Sequence, residues 1–431
     1  MVQSASPSVS GMYRLFMQLC FPMRKQFANL LGRPLPYPVF IAGLALLIWH
    51  PTITASVLRK PYDTIWNLIH DVVIGIFILS ALPVGVQHMK RRSCPLGDVT
   101  LLYFALCVIS TLPLLIVPTL GVSYVRMLIV SLVTFLAVFL VSHRVTLNRP
   151  HRTFIGMMSA WGSWAVVSAL RGLERVGTVY GSQSRLDIMG HTNSRAGYEL
   201  LFFLLLIGFG IHLGRRYRFV VLSLSAILSV SLLTSYSRGA WLALCAGVLY
   251  IVAVTRGWRY MILTAVILLV VFTVLPGALG AKAREGVDPS YPTTVFRIGL
   301  WKQVIGFIGA NPWGGCGYES LWFSAVSWLN PDEPVLVGRH AHNLYLHTWA
   351  ELGILGLVAL IWLMWSVIRF LRKKAYWESV GLNGIRIGVL SCLIALILHG
   401  MVDVTWRDYH QQVFFWSLLG WISGVMKGES R

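Results

Sequence analysis

Residues 260–279 read YMILTAVILLVVFTVLPGAL, a stretch in which only Tyr260, Thr264 and Thr273 offer side-chain polarity and no residue is charged. About 20 apolar residues wound as a helix cross the hydrocarbon core of a bilayer. A helix satisfies its own backbone polar groups there, where no water can. Arg256 and Arg259 precede the stretch and anchor its first end. The same pattern recurs in both directions along the chain. We read twelve spans: 38–57, 64–86, 98–118, 121–142, 153–170, 197–214, 218–235, 238–256, 260–279, 344–368, 384–404 and 411–426. The composition agrees. The chain has 431 residues, 56% of them hydrophobic and 12% charged, with a mean hydropathy of +0.69. Soluble domains carry roughly 25% charged residues. An ordinary cytosolic enzyme, a disordered chain and a secreted disulfide scaffold are thereby excluded.

The formal net charge of +20 would suggest nucleic acid as a partner, but its distribution argues otherwise. Lys and Arg in short loops mark the cytoplasmic side. With the N-terminus inside, the inner segments hold 22 of the 36 cations against three acids, Asp98, Glu378 and Glu429. The outer segments hold 14 cations with 12 acids and are nearly neutral. The excess is an orientation signal, and no nucleic-acid partner is implied. Residues 1–37 read as a cytoplasmic tail leading to an uncleaved first span, and 427–431 as a cytoplasmic end. Of six cysteines only Cys316 falls outside, so no outer disulfide is expected. Cys107, Cys245 and Cys392 lie in spans as small packing residues.

The expected architecture is all-α and polytopic: spans one to nine over 38–279, a long outer loop over 280–343, and spans ten to twelve over 344–426. Loops of such length are usually functional or disordered. This one contains Trp301, Trp313, Trp322 and Trp328 with Gly314, Gly315 and Gly317, too apolar a mixture for a free linker. We expect short helices lying over the bundle. Three polar clusters fall on the outer side: Gly190 to Arg195, Ser235 to Ala240, and Arg339 to Asn343. Arg238 occupies a turn so tight that it must open span eight near the hydrocarbon boundary. A membrane arginine is costly unless paired, snorkelled or functional. Gly239 would let a ligand approach the backbone, and the helix start would favour an anion; snorkelling to lipid headgroups is the alternative. Asn343 is a good N-cap, which sets His342 just before span ten. The positive end of the helix dipole disfavours imidazolium there, as a general base requires. A metal site drawn from His340, His342, His347 and Glu351 is the competing reading, although no CxxC or HExxH pattern supports it. Arg297 lies in an amphipathic piece of the loop and is read equally well as functional or surface-lying. Asp403 could orient a histidine, pair with an arginine or pack, with His399 one turn earlier on the same face. His70 and Asp71 in span two read as internal hydrogen-bonding groups.

The Ser237-Arg238-Gly239 turn, the long late loop with Arg297, and the run His340-Ala341-His342-Asn343 opening the next span together resemble the O-antigen ligase family. That family shares a superfamily with O-antigen polymerases and O-oligosaccharyltransferases. The resemblance implies a helical, GT-C-like glycosyltransferase of the bacterial inner membrane, working at the periplasmic face without cofactor or metal. It implies an undecaprenyl-pyrophosphate-linked polysaccharide as donor and the lipid A–core oligosaccharide as acceptor. Within it, His342 would act as base and Arg238 and Arg297 would stabilise the leaving pyrophosphate, with inversion at the anomeric carbon. Arg195, His191, Arg339, His340 and Asp403 would contact substrate. Oligosaccharyltransferases acting on protein often carry an extra soluble C-terminal domain, whereas this sequence stops about five residues after its last span. Polymerases usually place arginines in two comparable outer loops, whereas one loop dominates here. Both points favour the ligase. A transporter or flippase of a phosphate-bearing lipid is the rival from another class. Transporters often show internal repeats and midplane sites; here no repeat is evident and the polar clusters gather at one face.

Overall fold

A computed structural model of the chain describes residues 35–56, 62–116, 121–174, 186–187, 190–211, 213, 215–274, 277, 280–281, 288, 290–321, 340–404 and 408–429. The described residues form α1 (Tyr37–Ser56), α2 (Tyr62–Arg91), α3 (Gly97–Thr111), α4 (Gly121–Thr146), α5 (Pro150–Glu174), α6 (Thr192–Gly210), α7 (Arg215–Thr234) and α8 (Arg238–Arg256). They continue as α9 (Trp258–Val274), α10 (Pro292–Ala310), α11 (Leu344–Leu371), α12 (Lys374–Ser379), α13 (Asn383–Gly400) and α14 (Tyr409–Glu429). A 3₁₀ turn, Leu112–Ile116, extends α3. Just before α6 lies a short antiparallel ladder, β1 (Leu186–Asp187) with β2 (Gly190–His191). The protein is thus a polytopic helical membrane protein.

Each of the twelve apolar stretches is occupied by a helix. Eight of those helices are long and apolar enough to cross a membrane, while Tyr37–Trp49 and Trp258–Val274 are shorter apolar helices. The two others, α6 and α14, are diluted by polar residues: Arg195 and Glu199 in α6, and His410, Gln411 and Gln412 at the start of α14.

The bundle is organised around α13, of which 78% is buried, against 28–61% for the other seven long apolar helices. It runs between α6 and α8, and small residues set the distance. Gly388 faces Gly208 backbone to backbone; a Cβ at Gly388 would sit 3.2 Å from the Cα and carbonyl oxygen of Leu205. The Ser391 hydroxyl donates to the Gly247 carbonyl at 2.9 Å, and the Cys392 thiol donates to the Leu201 carbonyl at 3.0 Å. In lipid the hydrophobic effect does not draw helices together, so close packing of small residues and interhelical hydrogen bonds take over. The same device joins α14 to α4, where a Cβ at Gly420 would strike the Phe139 carbonyl and one at Gly424 would lie 2.8 Å from that of His143.

The described part of the long outer segment includes helical residues 280–281 and a 19-residue helix, α10, started by Pro292 in its first turn and followed by turns over 311–320. Leu300, Val304, Phe307 and Ile308 of α10 are buried against Ala341 and Ala350, with Leu346 and Trp349 alongside. The Trp301 indole donates to the Ala341 carbonyl at 2.9 Å. The segment after α10 is also hydrogen-bonded into a break in α11. Gly353 adopts φ +70°, which interrupts the helix and frees two carbonyls. Cys316 N–H then donates to Ala350 at 2.9 Å and Gly317 N–H to Glu351 at 2.9 Å, while Ile354 N–H donates to Pro312 at 3.0 Å. A Cβ at Gly353 would collide with the Trp313 carbonyl. Residues 322–339, including Trp322 and Trp328, lie outside the described residues.

Replacement of Gly388 by leucine should wedge α13 away from α6, since overpacking a filled interface costs about 1–3 kcal/mol. The expected outcome is a lower midpoint of thermal aggregation for detergent-purified protein by fluorescence-detected size exclusion, with Gly299→Leu, whose Cβ meets nothing within 4 Å, as the unaffected control.

Candidate active site

The starts of α6, α8 and α11 meet the end of α13 at one end of the bundle, because these neighbours alternate in direction. Asp403 stands at the centre. It leaves the last turn of α13, its N–H donating to the His399 carbonyl at 2.9 Å, and its side chain is only 5% exposed. Its carboxylate accepts from Asn193 Nδ2 at 2.6 Å and from the backbone N–H of Val404 at 2.8 Å. His342 Nδ1 lies 3.5 Å away and Arg297 Nη2 3.8 Å away. A carboxylate offers about four lone-pair sites, and four groups from four segments surround this one. Burial alone would push the Asp403 carboxyl up. The hydrogen bond and charge of His342, with His399 and His340 beyond, outweigh it and hold the carboxyl below the ordinary carboxylate range.

His342 is presented by strained backbone. Its φ of +44° lies in the left-handed region, as does that of Tyr236 (+55°) in the turn before α8. Non-glycine residues held there cluster at functional sites, where surrounding structure must enforce them. Here the enforcement is local. Asn343 caps α11 by accepting from Tyr345 and Leu346 N–H, both at 3.0 Å, and its own amide donates to the Met401 carbonyl at 3.0 Å. The His340 ring packs on that of His342 at 3.8 Å between centroids, and His340 Nδ1 accepts from the His342 N–H at 3.3 Å. With Nδ1 of His342 turned to Asp403, Nε2 is the nitrogen left for a ligand.

The two arginines flank this pair. Arg238 opens α8, and its Nη2 donates to Thr293 Oγ1 at 2.8 Å while the guanidinium lies 5.4 Å from the Tyr291 ring centre. Its Nη1 is enclosed without a protein acceptor. Ser237, at the N-cap of α8, makes no side-chain capping bond. Burial lowers the Arg297 guanidinium from its ordinary value; Asp403 opposes that shift and Arg238 adds to it. Both cations therefore face one small region.

Comparison with known proteins bears on this arrangement. Residues 224–361 match the family model described as O-antigen ligase. They contain Arg238, Arg297, His340 and His342. The chain resembles the O-antigen ligase superfamily. It is 32% identical over 167 residues to an O-antigen ligase of Salmonella typhimurium, covering 35% of this chain and 40% of that protein. It is 24% identical over 192 residues to a general O-oligosaccharyltransferase of Acinetobacter baylyi, covering 37% of this chain and 33% of that one. The matched part of the chain thus spans well under half the length of these curated relatives.

Within the O-antigen ligase-like end of the bundle, Arg238, Arg297, His340, His342 and Asp403 come together. Arg195 does not join them. Its guanidinium is buried, donating to Ser231 Oγ at 3.2 Å and lying 3.8 Å from Glu199, which itself accepts from Ser168 at 2.9 Å. It faces the bundle interior because it falls on the face of α6 away from Asn193. His191 pairs with Leu186 through its backbone, while its side chain and the whole of Arg339 lie outside the described residues. The four residues weighed as a metal group divide: His347 Nε2 and Glu351 Oε1 pair at 3.2 Å in the interior. The side chains that do converge are His340, His342 and Asp403, with ligand atoms within 4.8 Å of one another. Gly239 also serves another purpose than the ligand approach expected of it. A Cβ there would meet Val402 at 2.8 Å and His399 at 3.0 Å, so its missing side chain seats the end of α13.

Sequence reasoning missed Tyr291 and Thr293, which hold Arg238, and Asp408. The proline of Tyr291-Pro292-Thr293, a helix-start signal, places the first two at the start of α10. Asp408 precedes α14 with its Oδ2 enclosed. Burial pushes its carboxyl up to about 7; Ser194 opposes the shift, and the charges of Asp403 and Glu319 reinforce it.

Replacement of Asp403 by leucine removes the common acceptor of Asn193, Arg297 and His342, and breaking a buried charge pair costs about 3–5 kcal/mol. A lowered melting temperature is expected, with Asp403→Asn intermediate because it keeps a hydrogen-bonding oxygen. For Asp408 the folded value lies above the ordinary 3.8, so the folded protein keeps a proton that the unfolded chain has released. Its contribution is full below that value and is lost as pH rises through about 7. Melting curves across this window should show that decline, and Asp408→Asn should flatten it.

Proposed function

We propose that this protein is an inverting glycosyltransferase that ligates O-antigen polysaccharide from undecaprenyl pyrophosphate to the lipid A–core oligosaccharide at the periplasmic face of the inner membrane. The observation that carries the reading is the dyad of His342 and buried Asp403 beside two arginines that share one region. The side of the membrane is inferred from the basic loops at the opposite end of the bundle.

In this reading the acceptor hydroxyl approaches Nε2 of His342, while Asp403 fixes the ring through Nδ1 and offsets the charge it gains. The hydroxyl oxygen forms a bond to the anomeric carbon as the bond from that carbon to the pyrophosphate oxygen breaks. The hydroxyl proton passes to His342, and the leaving undecaprenyl pyrophosphate carries away the electron pair. Arg238 and Arg297 meet the charge developing on that oxygen. Donors already in position act strongly at a low-dielectric boundary. A single displacement inverts the anomeric configuration. The mechanism calls on no metal.

The similarity to an O-oligosaccharyltransferase favours a second reading with the same donor chemistry and a protein acceptor. Purified protein should therefore be reconstituted with polysaccharide-linked undecaprenyl pyrophosphate and offered lipid A–core or acceptor protein in separate arms. Capped lipopolysaccharide in the first arm is the expected product. Glycosylated protein alone would replace the acceptor, and donor crossing liposomes without product would indicate a transporter. His342→Ala should lower turnover by about 10²–10⁴-fold. Arg238→Ala and Arg297→Ala should each cost about 2.7–4 kcal/mol of transition-state stabilisation. Full activity of His342→Ala would overturn the mechanism.

A further inference from the structure

On the flank of the bundle a groove of about 350 Å³ opens between α2, α4 and the start of α14. It lies apart from the His342–Asp403 cluster, and the glycan-transfer reading does not use it. Space of this size corresponds to roughly ten water volumes. Two opposite charges line it. Asp71 lies in the third turn of α2 and Arg126 in the second turn of α4. Both helices begin at the same end of the bundle, so both charges line the groove towards that end. Asp71 is 77% exposed, and its ion contact is His70 Nδ1 at 3.8 Å rather than Arg126. The surrounding side chains Leu68, Val72, Met127 and Val130 are 63%, 53%, 51% and 41% exposed, as a lipid-facing surface requires. The sequence reading of His70 and Asp71 as internal hydrogen-bonding groups therefore holds for His70, which meets Tyr409 Oη at 3.2 Å, and not for Asp71, which faces outward.

A carboxylate on a lipid-facing helix surface is costly unless something in the membrane pairs with it. A guanidinium across the same groove disfavours a purely cationic ligand, and the carboxylate disfavours a purely anionic one. We propose that the groove binds the headgroup of a zwitterionic phospholipid of the phosphatidylethanolamine class, its phosphate on Arg126 and its ammonium on Asp71. The acyl chains continue down the apolar surface between α2 and α4. The lipid closes over the His70–Tyr409 contact and so steadies the beginning of α14, next to Asp408.

Native mass spectrometry of the full chain, released from nanodiscs of phosphatidylethanolamine or of phosphatidylglycerol, tests this. Wild-type protein should retain phosphatidylethanolamine roughly tenfold more than phosphatidylglycerol, the scale of one charge-assisted contact. Asp71→Asn, isosteric and exposed, should erase the preference while leaving some binding of both. Arg126→Gln should weaken retention of both lipids. Melting temperature in the two lipids provides a second readout that needs no retained adduct, and it should rise with phosphatidylethanolamine only when Asp71 is present. Equal retention of the two lipids by wild type, or a preference surviving Asp71→Asn, would overturn the proposal.

Discussion

A carboxylate enclosed at the mouth of an apolar bundle stays ionised only if hydrogen bonds and opposite charge offset its burial, and Asp403 places that demand on its surroundings. The groups that meet it come from far apart in the chain: Asn193 from the start of α6, Arg297 from α10, His342 from the start of α11, and the adjacent backbone of Val404. Each of those segments is consequently held in register with the end of α13. Removing solvent from such a pair is expensive, but it also strengthens every remaining electrostatic interaction. Stability and candidate chemistry at this end of the bundle therefore rest on the same interaction.

Two glycines make that convergence geometrically available. Gly239 lets the end of α13, through His399 and Val402, press against the start of α8. Gly353 breaks α11 about three turns below His342 and frees carbonyls for the segment that follows α10. The outer segment is thereby stitched to the helix that carries His342, and Arg297 reaches Asp403 from a fixed support. Small residues play the same part deeper in the bundle, where Gly208 and Gly388 bring α6 and α13 into backbone contact.

The two ends of the bundle use charge differently. At the end bearing the basic loops, Asp98 is engaged by Arg92 and by the buried His88 at 3.1 Å, and the other cations stay in excess. At the opposite end the charges nearly balance, yet Arg297 and three histidines crowd one carboxylate, with Arg238 beyond Arg297. The flank adds a third pattern, an acid and a base that face the membrane across a groove instead of pairing with each other.

Composition and periodicity decided the helical, membrane-embedded character and the places of the long apolar helices, because burial in lipid demands uninterrupted apolar runs that no other fold class needs. Short motifs likewise marked Arg238, Asn343 and His342, since helix starts have local signatures. Polar dilution made α6 and α14 harder to read, as their buried Arg195, Glu199 and Gln412 meet Ser231, Ser168 and Tyr318 from other segments of the chain. Tertiary structure alone decided that Asp403 joins His342 to Arg297, that Arg195 turns inward, that Gly239 seats a helix, and that Asp71 faces the membrane. A side chain's partner is set by which helices cross and at what depth. That geometry depends on contacts between residues hundreds of positions apart, which leave no periodic trace in the chain itself.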